Sequence, residues 1–280
     1  KAPKPELVPI IEQELESQFM IAPSIIAGDM SNLEKEVKRC EIGRADYIHL
    51  DVMDGQFVPN KTFDHVKVRD LRSLTLIPFD THLMINEPVK HVHEYIDAGS
   101  DIVTVHAEVC DESSFGEICD ILQSNQIGIG LAINPDTELP QWSYKFVPLL
   151  DQVIIMSVVP GKSGQKFIES THEKTQLISR DLKQHNFEGY IEVDGGVNLE
   201  NVGSCFEDGA RAFVGGSAIV GQSDIRMIIK EFRNQVLESR RRLLIKKAHD
   251  LGGTDLVNKW IDLHIVGKKK DSLVQIAKEL

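Results

Sequence analysis

The sequence predicts an α/β protein, a single closed (β/α)8 TIM barrel, on two observations. Eight short apolar, β-branched runs recur along the chain with charged, helically periodic stretches between them. Polar residues able to do chemistry collect at the C-terminal ends of those runs, where the side chains of such a barrel converge on one mouth. With 280 residues and 41% hydrophobic content the chain can bury one large core, and a barrel of this kind takes about 250 residues.

In chain order the runs are FMIAPSI from Phe19, ADYIHLDV from Ala45, LIPFDTHLM from Leu76, DIVTVHAE from Asp101, IGIGLAI from Ile127, QVIIMSV from Gln152, GYIEVDG from Gly189 and RAFVGGS from Arg211. SNLEKEVKRCEIG after the first and ESTHEKTQLISRDLKQHN after the sixth have helical periodicity and a charged face. Apolar strands alternating with helices imply parallel pairing through right-handed crossovers, with both faces of the sheet covered. The rival is a doubly wound open sheet. It would spread Asp51, His82, His106, Asp194 and Ser217 along an edge, whereas a closed barrel gathers them at one rim.

The ends depart from the repeat. Residues 1–18 read as an N-terminal arm or short helix (LVPIIEQELESQ), residues 19–240 as the catalytic barrel with its last helix, and residues 241–280 as a helical C-terminal extension. A long charged helix is expected downstream of Ser223 through His249, carrying SRRRLLIKK. A break at Gly252-Gly253 follows, then Thr254 as N-cap of TDLVNKWIDLHIV, then an amphipathic stretch from Asp271. The basic run reads as a solvated helix face, and the extension as packing on the barrel or a subunit partner.

A formal net charge of -12 leaves no basic stripe. Nucleic acid and acidic membranes are therefore not expected partners, and an anionic ligand must be held locally by backbone donors or a few cations. The four cysteines, Cys40, Cys110, Cys119 and Cys205, show no CxxC spacing and suggest a reduced, cytoplasmic setting. No apolar run approaches the roughly 20 residues that span a bilayer, and KAPKPE lacks the apolar stretch of a signal peptide.

HLDVMDG places His49 and Asp51 two residues apart on a strand, so both side chains share a face. THLM puts His82 in the analogous place on the next strand, and EVDGG adds Asp194 at the end of the seventh. Two imidazoles and two carboxylates at one mouth form a mixed N/O set suited to Zn²⁺ or another divalent first-row metal. Each has an ordinary explanation alone: a histidine in a strand is commonly a hydrogen-bonded core residue, and an aspartate in a DG turn serves the turn. Their coincidence raises the metal reading, because clustered ionisable groups are costly to bury unless paired or metal-bound. Gly-rich turns at SVVPGKSGQ, VDGGV and VGGSAIV follow the sixth, seventh and eighth strands. The last two, with the Ser217 hydroxyl, are where barrels build a phosphate cradle from backbone N–H groups.

These residues resemble the ribulose-phosphate 3-epimerase family. The matching runs are APSIIAGD, ADYIHLDVMDGQFVPN, THLM, IGLAINP, PGKSGQKF, IEVDGGV and GGSAIV, in family order over roughly residues 20–222. The resemblance implies that His49, Asp51, His82 and Asp194 bind one divalent metal, commonly zinc, with iron, manganese or cobalt as alternatives in the family. It implies that Asp51 and Asp194 double as the proton-transfer pair, and that Ser24, His82, Met53, Met84 and Met156 surround the substrate. Gly195, Gly196, Gly216 and Ser217, with the loop at Gly164, would hold the phosphate. The implied reaction inverts C3 of a ketose phosphate, D-ribulose 5-phosphate to D-xylulose 5-phosphate of pentose phosphate metabolism. One aspartate removes the proton next to the carbonyl, and the other returns a proton to the opposite face of the enediolate. Homo-oligomers are common among such barrels.

Two departures bear on the substrate. The family loop reads PGFGGQ, and here Lys162 and Ser163 replace the aromatic and the middle glycine; Val159 stands where the family is usually polar. A sister epimerase acting on another ketose phosphate, such as allulose 6-phosphate, is the alternative within the same chemistry. A sugar-phosphate-binding barrel without catalysis is the alternative outside it.

Overall fold

Each of the eight runs forms a strand in the computed structural model, which describes residues 18–162 and 164–250. The strands are β1 (Met20–Pro23), β2 (Ile48–Met53), β3 (Phe79–Met84), β4 (Ile102–His106), β5 (Gly128–Ile133), β6 (Gln152–Met156), β7 (Tyr190–Asp194) and β8 (Ala212–Gly215). All pair in parallel, in the order β1-β8-β7-β6-β5-β4-β3-β2. The cylinder closes at a seam between β1 and β2. A single parallel bridge, Ser24 to His49, joins them there. Asp46 reinforces it, donating its N–H to the Ile21 carbonyl (3.1 Å) and accepting the Ile21 N–H on Oδ2 (2.7 Å).

The helices are α1 (Leu33–Gly43), α2 (His65–Arg72), α3 (Val92–Asp97), α4 (Glu112–Ser124), α5 (Thr171–Gln184), α6 (Val202–Asp208) and α7 (Ile225–Asp250). Their starts follow local chemistry. Asn32 accepts the Lys35 N–H, Asp64 accepts those of Val66 and Lys67, and Asp111 forms a reciprocal capping box with Ser114.

The strict strand–helix alternation expected from the sequence fails once. The β5–β6 connection holds only two 3-10 turns, Gln141–Lys145 and Val147–Leu149. Pro135, Pro140 and Pro148 fall in that stretch, and each lacks the N–H an α-helix needs. At the other end, α7 runs unbroken past residue 240 to Asp250. Residues 1–17 of the expected arm, the Gly252-Gly253 break, the Thr254 cap and the stretch from Asp271 lie outside the described residues.

Strand alternation sorts side chains into two environments. Leu50, Val52, Leu83, Val103, Leu131, Val153, Val193 and Phe213 are buried in one apolar cluster with helix residues such as Val37, Leu71, Phe115, Phe206 and Phe232. The alternate positions His49, Asp80, His82, Thr104, Gln152 and Glu192 have no exposed surface either, yet all are polar. The inward side is thus mixed, with Ala132, Ile154 and Met156 forming a small apolar cluster among these polar groups. Inside the cylinder, room for the polar layer comes from Gly130, where a Cβ would lie 1.9 Å from Thr104 Oγ1.

Candidate active site

Four of the sequence-predicted residues meet at the C-terminal rim. His49 and Asp51 come from β2, His82 from β3 and Asp194 from the end of β7. Register explains the meeting, since Asp51 is paired with His82 across the β2–β3 ladder and Met156 with Asp194 across β6–β7. One donor atom from each of the four residues lies within 4.8 Å of all the others. Asp51 Oδ1 is 3.3 Å from His49 Nε2 and 3.2 Å from His82 Nδ1. Asp194 Oδ2 is 3.6 Å from His49 Nε2 and 3.4 Å from His82 Nδ1.

These spacings suit a shared cation. Donors about 2.1 Å from a tetrahedral metal are about 3.4 Å apart, which is where the four N···O separations cluster. His49 Nε2 is fully buried without a hydrogen-bond partner among the described residues, a cost unless something else occupies its lone pair. The electrostatics agree. Burial opposes charge on His49, yet the carboxylates of Asp51 and Asp80 raise its pKa well above the ordinary value. Burial likewise opposes charge on His82, and Asp194 and Asp51 raise its pKa. Asp51 is held in the carboxylate form against burial by the two imidazoles, and Asp194 against burial and the Asp51 charge. The cluster demands positive charge at its centre, which a divalent metal supplies as protons would.

Each imidazole is braced from behind. His49 Nδ1 lies 2.6 Å from Asp80 Oδ2. His82 Nε2 lies 2.8 Å from His106 Nε2, and His106 Nδ1 lies 3.1 Å from Glu108 Oε2. Burial lowers the His106 pKa, so the ring is neutral and donates from one nitrogen while accepting at the other. Glu192 sits beside Asp80 and His49 as a neutral acid, its pKa raised by burial and by the Asp80 charge.

Above the cluster opens a cavity of about 540 Å³. Its floor holds Ser24, Asp51, Met53, Met84, Met156 and Asp194, and its wall holds Lys162, Gly164, Gly195, Gly196, Gly216 and Ser217. His49 and His82 are wholly buried and reach it only through the aspartates. Ser24 Oγ donates to Asp51 Oδ2 (2.5 Å). The Asp194 carbonyl accepts from the N–H and hydroxyl of Ser157 (2.7 and 2.9 Å), which ties the ends of β6 and β7. Gly196, at φ 66°, has no space for a Cβ, which would approach Phe167 N to 2.4 Å. That close approach draws the Gly164 loop side of the cavity against the β7 turn.

Sequence reasoning assigned no role to Asp80, Gln152, Glu192 or Glu108. A signal for two of them was present: Asp80 and Glu192 each precede a site residue by two on the same strand, so they share its face one layer deeper. His106 stands at a strand end in the sequence, but no motif there marks it as the brace of His82.

The model of the family described as "Ribulose-phosphate 3 epimerase family" matches residues 20–220. Ribulose-phosphate 3-epimerase of Bacillus subtilis is 41% identical over 214 residues, covering 76% of this chain and 97% of the relative. The chloroplastic ribulose-5-phosphate-3-epimerase of Arabidopsis thaliana is 39% identical over 79% of this chain and 78% of the relative. The ribulose-phosphate 3-epimerase of Escherichia coli K12 is 35% identical over 78% of this chain and 96% of the relative. A solved structure of KGPDC from Streptococcus mutans superposes with a TM-score of 0.58 at 14% identity, covering 79% of this chain and 99% of that one; it shows the shared barrel alone.

Proposed function

Since the chain belongs to the ribulose-phosphate 3-epimerase family, we propose that it interconverts D-ribulose 5-phosphate and D-xylulose 5-phosphate by proton transfer at C3. The observation that carries this is the pairing of Asp51 with Asp194 across two imidazoles at the floor of a cavity whose wall is glycine-rich.

His49, Asp51, His82 and Asp194 would hold the metal, and two imidazoles with two carboxylates favour zinc. When bound, the ion supplies Lewis-acid stabilisation of the negative charge that develops on the substrate oxygens. The chain's own residues do the rest. One aspartate takes the C3 proton as a carboxylate; the other, a carboxylate in the metal-free cluster, must first take up a proton, which it then delivers to the opposite face. The roles exchange in the reverse direction. Ser24 keeps the Asp51 carboxylate oriented through its short hydrogen bond. Met53, Met84 and Met156, each nearly fully buried, keep water from the reacting carbon. Gly195, Gly196, Gly216, Ser217 and the Gly164 loop take the phosphate at the wall, where backbone approaches closely.

Four cysteines without a disulfide among the described residues fit a reducing, cytoplasmic compartment. The deciding experiment is a substrate panel in deuterated water, run on chelated and on zinc-loaded protein. Turnover with deuterium entering C3 is expected for the loaded form on ribulose 5-phosphate. A higher kcat/KM on allulose 6-phosphate would reassign the substrate, and binding without exchange would make the protein a non-catalytic sugar-phosphate binder.

A further inference from the structure

Beside His49, inside the barrel, lies a group of polar side chains that the reaction as described does not use. Asp80, Thr104 and Gln152 come from β3, β4 and β6, and none has any exposed surface. A buried carboxylate is costly unless its oxygens are hydrogen-bonded. Asp80 meets this condition on both sides. Its Oδ2 faces His49 Nδ1 at 2.6 Å, and its Oδ1 accepts from Gln152 Nε2 at 2.7 Å. Gln152 Nε2 also donates to Thr104 Oγ1 at 2.6 Å. Gly130 stands in register between Thr104 and Gln152 and leaves the space in which these two side chains meet.

The chain of bonds has a direction. An ionised carboxylate accepts only, so the proton on the His49 ring sits on Nδ1, and the lone pair is left on Nε2. Nε2 is the atom that faces Asp51 and Asp194. Glu192 Oε1 also approaches His49 Nδ1, but at 3.4 Å, longer than the Asp80 contact.

We propose that Asp80, held in place by Gln152, is a positioning residue that fixes the tautomer and orientation of His49 and thereby sets the affinity of the rim cluster for its divalent metal. The inference rests on the metal-site reading above. An outer carboxylate raises the basicity of a ligating imidazole and spares it the entropy of finding its orientation.

The test measures zinc affinity of the apo protein by competition with a chromophoric chelator, and the visible spectrum of the cobalt-substituted protein. Wild type, Asp80→Asn, Gln152→Met and Glu192→Gln are compared, with the apo melting temperature of each as the control for folding. Asp80→Asn is expected to bind zinc about 10- to 100-fold more weakly and to shift the cobalt absorption bands. Gln152→Met is expected to lose affinity in the same direction by a smaller factor, and it tests the same chain if Asp80→Asn fails to fold. Glu192→Gln is expected to bind like wild type. Unchanged affinity and cobalt spectrum in both Asp80→Asn and Gln152→Met, or a loss confined to Glu192→Gln, overturns the positioning role while the metal reading stands. A wild-type protein that takes up no divalent metal overturns the metal reading itself.

Discussion

His82 Nε2 and His106 Nε2 lie 2.8 Å apart inside the barrel, so the imidazole that faces the two aspartates is anchored by a second imidazole, itself tied to Glu108. His106→Leu removes the acceptor and leaves a buried ring N–H of His82 without a partner, a cost of about 1–3 kcal/mol. The expected outcome is a roughly 10- to 100-fold fall in kcat or in metal affinity with a folded barrel. Steady-state kinetics with metal titration and circular dichroism check it, and wild-type values for both would show that the anchor is idle.

Asp51→Asn and Asp194→Asn each replace one of the two carboxylates that share the imidazoles, without changing side-chain shape. Loss of a general acid or base costs about 10²- to 10⁴-fold in rate. Each variant should therefore turn over at well under a tenth of the wild-type rate in a coupled assay for xylulose 5-phosphate. Faster turnover in either would contradict the paired role.

Acid stability should depend on Glu108. Burial works against its ionised form, but the hydrogen bond from His106 and others bring its pKa from 4.5 down to about 2. A carboxylate with a depressed folded-state pKa contributes stability that is complete above the unfolded value and vanishes as pH falls through the folded one. The difference in urea midpoint between wild type and Glu108→Gln should thus shrink as pH is lowered from 5 to about 2. A difference that stays constant over that window would mean the carboxylate is not held in its ionised form.

Lys162 lies on the cavity wall beside Gly164, and no ion pair of its ammonium occurs among the described residues. If this wall takes the substrate phosphate as proposed, the Lys162 ammonium should lower KM with little effect on kcat. Lys162→Ala is expected to raise KM by about fivefold at low salt, the effect of roughly 1 kcal/mol from an exposed charge pair, and less at high ionic strength. Unchanged KM and kcat would make it a solvated loop tip.

Much of this architecture is legible in the residues themselves. Strand positions follow from apolar runs of β-branched residues. The four site residues can be picked out because a spacing of two puts His49 on the same face as Asp51, and because Asp51, His82 and Asp194 stand at or near a strand's C-terminal end. The helix missing between β5 and β6 was also written in the chain, as three prolines whose weight the periodicity concealed.

What the sequence determined by itself was therefore local: which residues lie on strands, which face each takes, and which chemistry the strand ends carry. The tertiary structure decided which atoms meet. Asp80 and Gln152 are 72 residues apart, and Asp51 and Asp194 sit on strands far from each other in sequence. Their contact follows from the stagger and closure of the cylinder, which no run of neighbouring residues encodes. Only closure turns the inward-facing side chains toward a common axis, and only there does burying Asp80 become affordable, because His49 and Gln152 from other strands supply the hydrogen bonds that water would otherwise provide.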